Sequence, residues 1–172
     1  MRFWVTIFIF VFLTFPCLSA TKDSNSQNLG TFGNWTAYTY HDEMGRICYM
    51  ASQPTKSSGK YSKRDDIFLM VTHRPNEKAF NVVNTVAGYT YKKESKPTLA
   101  IDNKKSVSLV SYEDTAWAKD AKTDGALVEQ MKEGSLAVLK GTSKRGTATT
   151  DTFSLKGFSK AYQKISEVCN YQ

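Results

Sequence analysis

The chain has 172 residues, 41% of them hydrophobic, and carries 23 Lys and Arg against 16 Asp and Glu, a net charge of +7. That length suits one domain with a proper hydrophobic core, and no internal repeat is visible. The charge excess has two readings, a soluble lysine-rich coat or a surface for anionic lipid headgroups, cell-wall polymers or acidic proteins.

Met1 and Arg2 precede Phe3 to Phe15, which is apolar apart from Thr6 and Thr14 and is followed by Pro16-Cys17-Leu18-Ser19-Ala20. A short positive start, an apolar run of this length and a small-residue exit predict a secretory signal peptide over residues 1–20. The run is too short to span a bilayer. Thr14-Phe15-Pro16 before Cys17 also lacks the pattern of a lipid-attachment site. An exported chain does not meet nucleic acid, so the expected partner is an envelope protein or an anionic envelope polymer or lipid surface. No cofactor is expected.

Residues 21–30 are polar and without period, a disordered leader, and the domain is expected over 31–172. Trp35 to Tyr40 is short and rich in aromatics and threonine, and Arg46 to Gln53 is a second strand. The two are joined by His41-Asp42-Glu43-Met44-Gly45 as a hairpin loop. Pro54 to Lys63 reads as an exposed loop. Asp66 to Thr72 is continuously apolar and predicts a central strand buried on both faces, with His73 as an edge residue at its end. Phe80 to Val86, Leu99 to Ile101 and Ser106 to Tyr112 follow as strands. In the last of these, Val107, Leu109 and Ser111 share one side.

A first helix is expected over Asp124 to Lys132, capped by Asp124 and stopped by Gly134. Two more strands flank a basic turn, Gly141 to Gly146. The chain closes on Phe158, Ala161, Tyr162, Ile165, Val168 and Cys169, spaced as one apolar stripe of a second helix. Many short strands, frequent turns and two isolated helices indicate a mainly β sandwich. Once the signal is removed, Cys48 and Cys169 are the remaining cysteines. An even count in an exported chain predicts one intrachain disulfide between them. The alternative is two buried free thiols.

Phe32-Gly33-Asn34-Trp35, Cys48-Tyr49-Met50-Ala51-Ser52-Gln53, Ala116-Trp117-Ala118, Gly134 and Phe153-Ser154-Leu155-Lys156-Gly157-Phe158-Ser159-Lys160-Ala161 occur in this order. In this the chain resembles the invasion associated locus B family of exported Gram-negative proteins, over Thr31 to Cys169. The resemblance implies an immunoglobulin-like β-sandwich in the periplasm or at the outer-membrane or cell surface, with no established catalytic activity. Family members often carry a further cysteine shortly after the first tryptophan. Here that stretch is Thr36-Ala37-Tyr38-Thr39-Tyr40, so no second disulfide forms there.

Catalytic spacing is lacking. A hydrolase would need His73 or His41 as general base beside a nucleophile, and no G-x-S-x-G elbow occurs. His41, Asp42 and Glu43 are consecutive and without the spaced second half of a zinc site. Asn34-Trp35-Thr36 matches a glycosylation sequon, which bacterial export does not generally use. Gly141 to Gly146 resembles a phosphate-cradling loop only loosely, because no helix follows it. Lys144 and Arg145 at its tip, with Lys156, Lys160 and Lys164, are the candidate contacts for an anionic partner. The leading expectation is a non-enzymatic binding protein. The alternatives are a small periplasmic hydrolase and a surface adhesin for host cells.

Overall fold

Period-two alternation of buried and exposed side chains runs through most of the computed structural model, which describes residues 26–102 and 104–171. The expected signal segment, residues 21–25 of the leader and Asn103 lie outside these. Seven strands form one antiparallel sheet in the order β1 (Gln27–Phe32), β2 (Trp35–Asp42), β3 (Gly45–Ser52), β5 (Phe68–Arg74), β6 (Ala79–Val86), β10 (Thr115–Trp117), β9 (Val110–Tyr112). Five form the second: β4 (Lys56–Gly59), β12 (Ala148–Ser154), β11 (Leu136–Thr142), β7 (Thr98–Ile101), β8 (Val107–Ser108). With α1 (Ala121–Glu133) and α2 (Phe158–Val168) they make the expected mainly β sandwich with two helices, the second C-terminal.

The inner face of the larger sheet presents Trp35, Ala37, Met50, Leu69, Val71 and Val83, all fully buried. They share one core with Leu99 and Leu139 of the second sheet, Leu127 and Met131 of α1, and Phe158 and Ile165 of α2. Each such side chain contributes about 1.5–3 kcal/mol through removal from water. Along α2 the expected stripe packs inward, except that Val168 stays half-exposed and Ser166 joins the buried set.

Several elements depart from expectation. β1 begins at Gln27, inside the stretch read as a disordered leader; it is an edge strand, paired only with β2, and Leu29 and Phe32 pack from it against the core. β4 lies within the expected loop 54–63. Its four side chains are all exposed, yet its backbone completes the second sheet against Thr149–Thr152. β5 is central but not buried on both faces: Leu69, Val71 and His73 are buried, while Phe68, Met70, Thr72 and Arg74 are half-buried on the opposite side. α1 starts a turn early. Asp120 is its cap, accepting from the Thr123 N–H at 2.8 Å, whereas Asp124 is buried and accepts from the Val83 N–H at 2.8 Å.

The resemblance-bearing stretches at the two ends of the domain meet in space. The Trp35 indole N–H donates to the Ser154 carbonyl at 3.0 Å, and its ring meets Phe158 edge-on at 4.9 Å between centroids. The Asn34 N–H donates to the Lys156 carbonyl at 2.9 Å. Gly157, at φ +94°, abuts the Phe32 carbonyl so closely that a Cβ has no room. These motifs therefore dock α2 onto the β1–β2 turn.

Candidate functional site

His73 sits in the middle of the core, fully buried, and not at an edge. The ladder is bulged opposite it: Thr72 pairs with Val82 and Arg74 with Ala79, leaving Phe80 and Asn81 unpaired against one residue. Asn81 takes φ +60° and turns its backbone N–H onto His73 Nδ1 at 3.1 Å. Nδ1 therefore accepts, the ring proton resides on Nε2, and that N–H donates to Ser166 Oγ at 3.1 Å. Tyr162 and Tyr171 clasp Asn81, at 2.6 Å to its carbonyl oxygen and 3.0 Å from its amide nitrogen. Their rings, with Phe80, surround the imidazole. A histidine bonded at both nitrogens and shut away from solvent is a structural tie, not a general base. The other candidate, His41, is exposed near the end of β2, opposite Arg46.

Burial pushes the His73 pKa from 6.5 down to about 4, and the Lys132 charge adds to the shift. Between those values the unfolded chain binds more protons than the folded one. Stability is therefore present above about pH 6.5 and is lost as pH falls toward 4, by about 3 kcal/mol over the whole window. Asp124 acts in the opposite sense. Burial raises its carboxyl from 3.8 to about 6, so the folded chain holds that proton more tightly and part of the loss is offset below pH 6. Because the two effects nearly cancel, urea midpoints across pH 4–6.5 are expected to fall only slightly for the native chain and to rise toward low pH for His73→Gln, which keeps the Asp124 contribution alone. Parallel curves for the two would overturn this assignment.

Cys48 on β3 and Cys169, just past α2, form the expected disulfide, with Cα atoms 6.0 Å apart and a sequence separation of 121. It lies beside the histidine tie, because Cys48 pairs with His73 across the β3–β5 ladder.

The expected basic contacts do not form one patch. Lys144 and Arg145 occupy the β11–β12 tip, whereas Lys156, Lys160 and Lys164 follow the far end of β12, which is seven residues long and so about 20 Å away along the strand. Lys144 and Arg145 instead face the connection from β4 to β5, and with it they line a cleft of about 500 Å³ containing Lys60, Lys63 and Arg64. The two sides are pinned. Arg64 and Asp151, 3% and 0% exposed, form a bidentate pair at 2.8 and 2.7 Å, and Arg64 Nε donates to the Ala87 carbonyl at 2.6 Å. Tyr89 and Tyr61 flank the guanidinium at 4.7 and 5.4 Å. Burial alone lowers the Arg64 pKa, but the Asp151 contacts outweigh it and hold the charge. Gly88, at φ +67°, lies against the Asp65 carbonyl where no Cβ fits. This site was partly legible in the glycine-flanked basic turn; Lys60 and Lys63 were hidden in a stretch that reads only as loop.

A second surface was not anticipated. The helices and the second sheet cover the inner face of the larger sheet, leaving its outer face open. Cross-strand pairing sets Tyr38 beside Tyr49, stacked at 5.0 Å, with Tyr40 edge-on to Tyr49 at 6.0 Å. Along a neighbouring row come Met70, Asn84 and Trp117. Tyr40, Tyr49, Met70 and Trp117 line a shallow hollow of about 540 Å³ whose polar groups include Thr72, Asn84 and Arg74. The signal was present as tyrosines alternating with small residues in Trp35 to Tyr40.

Among the described residues no helix is long and apolar enough to cross a membrane. No curated protein and no solved structure matches the chain. One family model does, described as Invasion associated locus B (IalB) protein, over residues 35–166. That span runs from the tryptophan under α2 to the serine that ties His73, and so takes in every strand of both sheets except β1. With most of its length matched, the chain belongs to the IalB family.

Proposed function

We propose that this protein is a non-enzymatic binding module of the cell envelope that engages an envelope component through the open face of its larger sheet. Family membership supports the envelope association, and a disulfide fits an exported protein. The observation that carries the binding role is the aromatic outer face. Tyr38, Tyr40, Tyr49, Met70 and Trp117 are displayed on a rigid sheet, not folded into the core. Large aromatics with a few polar neighbours are the side chains that dominate binding energy at protein surfaces. His73 belongs to the packing, so the hydrolase reading has no base at that position.

Pull-down from envelope extracts with the native chain is expected to recover a defined partner. Tyr49→Ser combined with Trp117→Ser is expected to weaken that complex by about 2 kcal/mol or more, roughly thirtyfold. The disulfide should still form and the melting temperature should fall only modestly, because both rings are half-buried on the outer face and lie outside the core. A clean preparation that retains no envelope component, or a partner held equally by the double variant, would count against this reading. Labelling of intact cells separates display at the surface, as an adhesin requires, from residence in the periplasm.

A further inference from the structure

On residues the outer face does not use, we propose that the cleft between the β4–β5 connection and the β11–β12 tip is a binding site for a phosphorylated sugar. Four exposed cations, Lys60, Lys63, Lys144 and Arg145, stand around it. Among the described residues no ion pair joins any of them to an acid. Asp65 is the acid in its lining, and Arg64 is already neutralised by Asp151. Four cations against one carboxylate repel one another, and an anion seated between them relieves that repulsion. Charge complementarity thus selects an anionic occupant.

The neutral lining narrows the class. Hydroxyls of Ser62 and Thr90 supply donors and acceptors, and the Tyr61 ring is 40% exposed at the rim. Lysine and arginine with hydroxyls match a phosphate group. About 500 Å³ exceeds what a bare phosphate fills and falls in the range of organic ligand sites. Hydroxyls and an aromatic edge suit a sugar ring attached to that phosphate. The backbone is already set. Lys144 N–H donates to the Thr90 carbonyl at 2.8 Å, the Ser143–Thr147 turn closes on itself at 2.9 Å, and the buried Arg64–Asp151 pair fixes the opposite wall. The cations therefore project from a frame that binding need not order.

Titration of the full chain with glucose 1-phosphate, monitored by calorimetry and by NMR, is expected to saturate in the millimolar range or below. Shifts should be confined to residues 60–65, 88–90 and 143–149. Inorganic phosphate should bind more weakly, and glucose not at all. Lys60→Glu with Lys144→Glu, both exposed and outside the folding core, should weaken glucose 1-phosphate about tenfold or more while leaving the melting temperature in place. Tyr49→Ser with Trp117→Ser should leave this binding unchanged, which separates failure here from failure at the outer face. Phosphatidylcholine vesicles doped with a phosphorylated glucosamine lipid identify the source. Tighter binding to them than to glucose 1-phosphate marks a membrane headgroup, and binding to the free sugar phosphate alone marks a soluble or polymer-borne one. The proposal is overturned if glucose 1-phosphate fails to saturate, if glucose binds equally well, or if the glutamate variant binds like the native chain. Equal attraction to plain phosphatidylglycerol vesicles also overturns it, since only diffuse surface charge would then be at work.

Discussion

Replacing both Cys48 and Cys169 with alanine is expected to lower the unfolding free energy by about 4–5 kcal/mol, the largest effect of any change considered for this chain. The link closes a loop with a sequence separation of 121 residues, so in the chain-entropy account it removes much of the freedom of the unfolded state. Small domains commonly have 5–15 kcal/mol in total, so the reduced form stands close to the edge of folding at body temperature. Urea unfolding of the native chain with and without reductant measures the effect directly, and the Cys48→Ala/Cys169→Ala variant should coincide with the reduced native chain. A midpoint that barely moves on reduction would show that packing of α2 through Trp35 and Phe158 holds the terminus by itself.

Removing the carboxylate of Asp151 is the second large effect. Asp151→Ala leaves the Arg64 guanidinium buried, with its Ala87 carbonyl contact but without the opposite charge, and is expected to cost about 3–5 kcal/mol. The double change Arg64→Met/Asp151→Leu should recover a large part of that loss, because a well-packed apolar pair of similar volume carries no desolvation penalty. Equilibrium unfolding of the two singles and the double, treated as a cycle, gives the coupling. If Asp151→Ala costs no more than a surface substitution, water reaches Arg64 and the frame of the basic cleft is softer than its geometry indicates.

Side-chain pattern revealed the parts of this fold that alternation or helical period writes plainly. The α2 stripe and the Trp35–Tyr40 strand are of that kind, and so is the pairing of two cysteines; the Ser106–Tyr112 alternation holds in burial, but the run expected as one strand breaks at the buried Leu109 into β8 and β9, one in each sheet. What escaped was set by backbone partners, which composition does not record. Lys56–Gly59 has no apolar residue, yet it is a strand because Thr149–Thr152 offers it a ladder. Gln27–Phe32 is a strand for the same reason. Asp124 has the look of a helix cap, but the actual cap is Asp120, and Asp124 reaches across to β6.

The candidate sites divide in the same way. Lys144 and Arg145 stood out because glycines bracket them. Their neighbours Lys60 and Lys63 are brought close only by a connection that crosses from one sheet to the other, pinned by an ion pair whose members are separated by 87 in sequence. His73 beside Arg74-Pro75 reads as an exposed strand end. A bulge at Phe80-Asn81, invisible in composition, makes it a buried tie.

The bond between β3 and the end of α2 also bears on how the molecule meets proteases. The exposed lysines at positions 56, 60, 63, 92, 93, 104, 105 and 144 all fall between its two half-cystines. A single tryptic nick at any of them opens the loop but leaves both fragments joined through the disulfide, still held side by side by two sheets. Damage that would split an open chain into separable pieces here leaves a clipped but undissociated particle, whose halves part only when a cut is joined by a thiol.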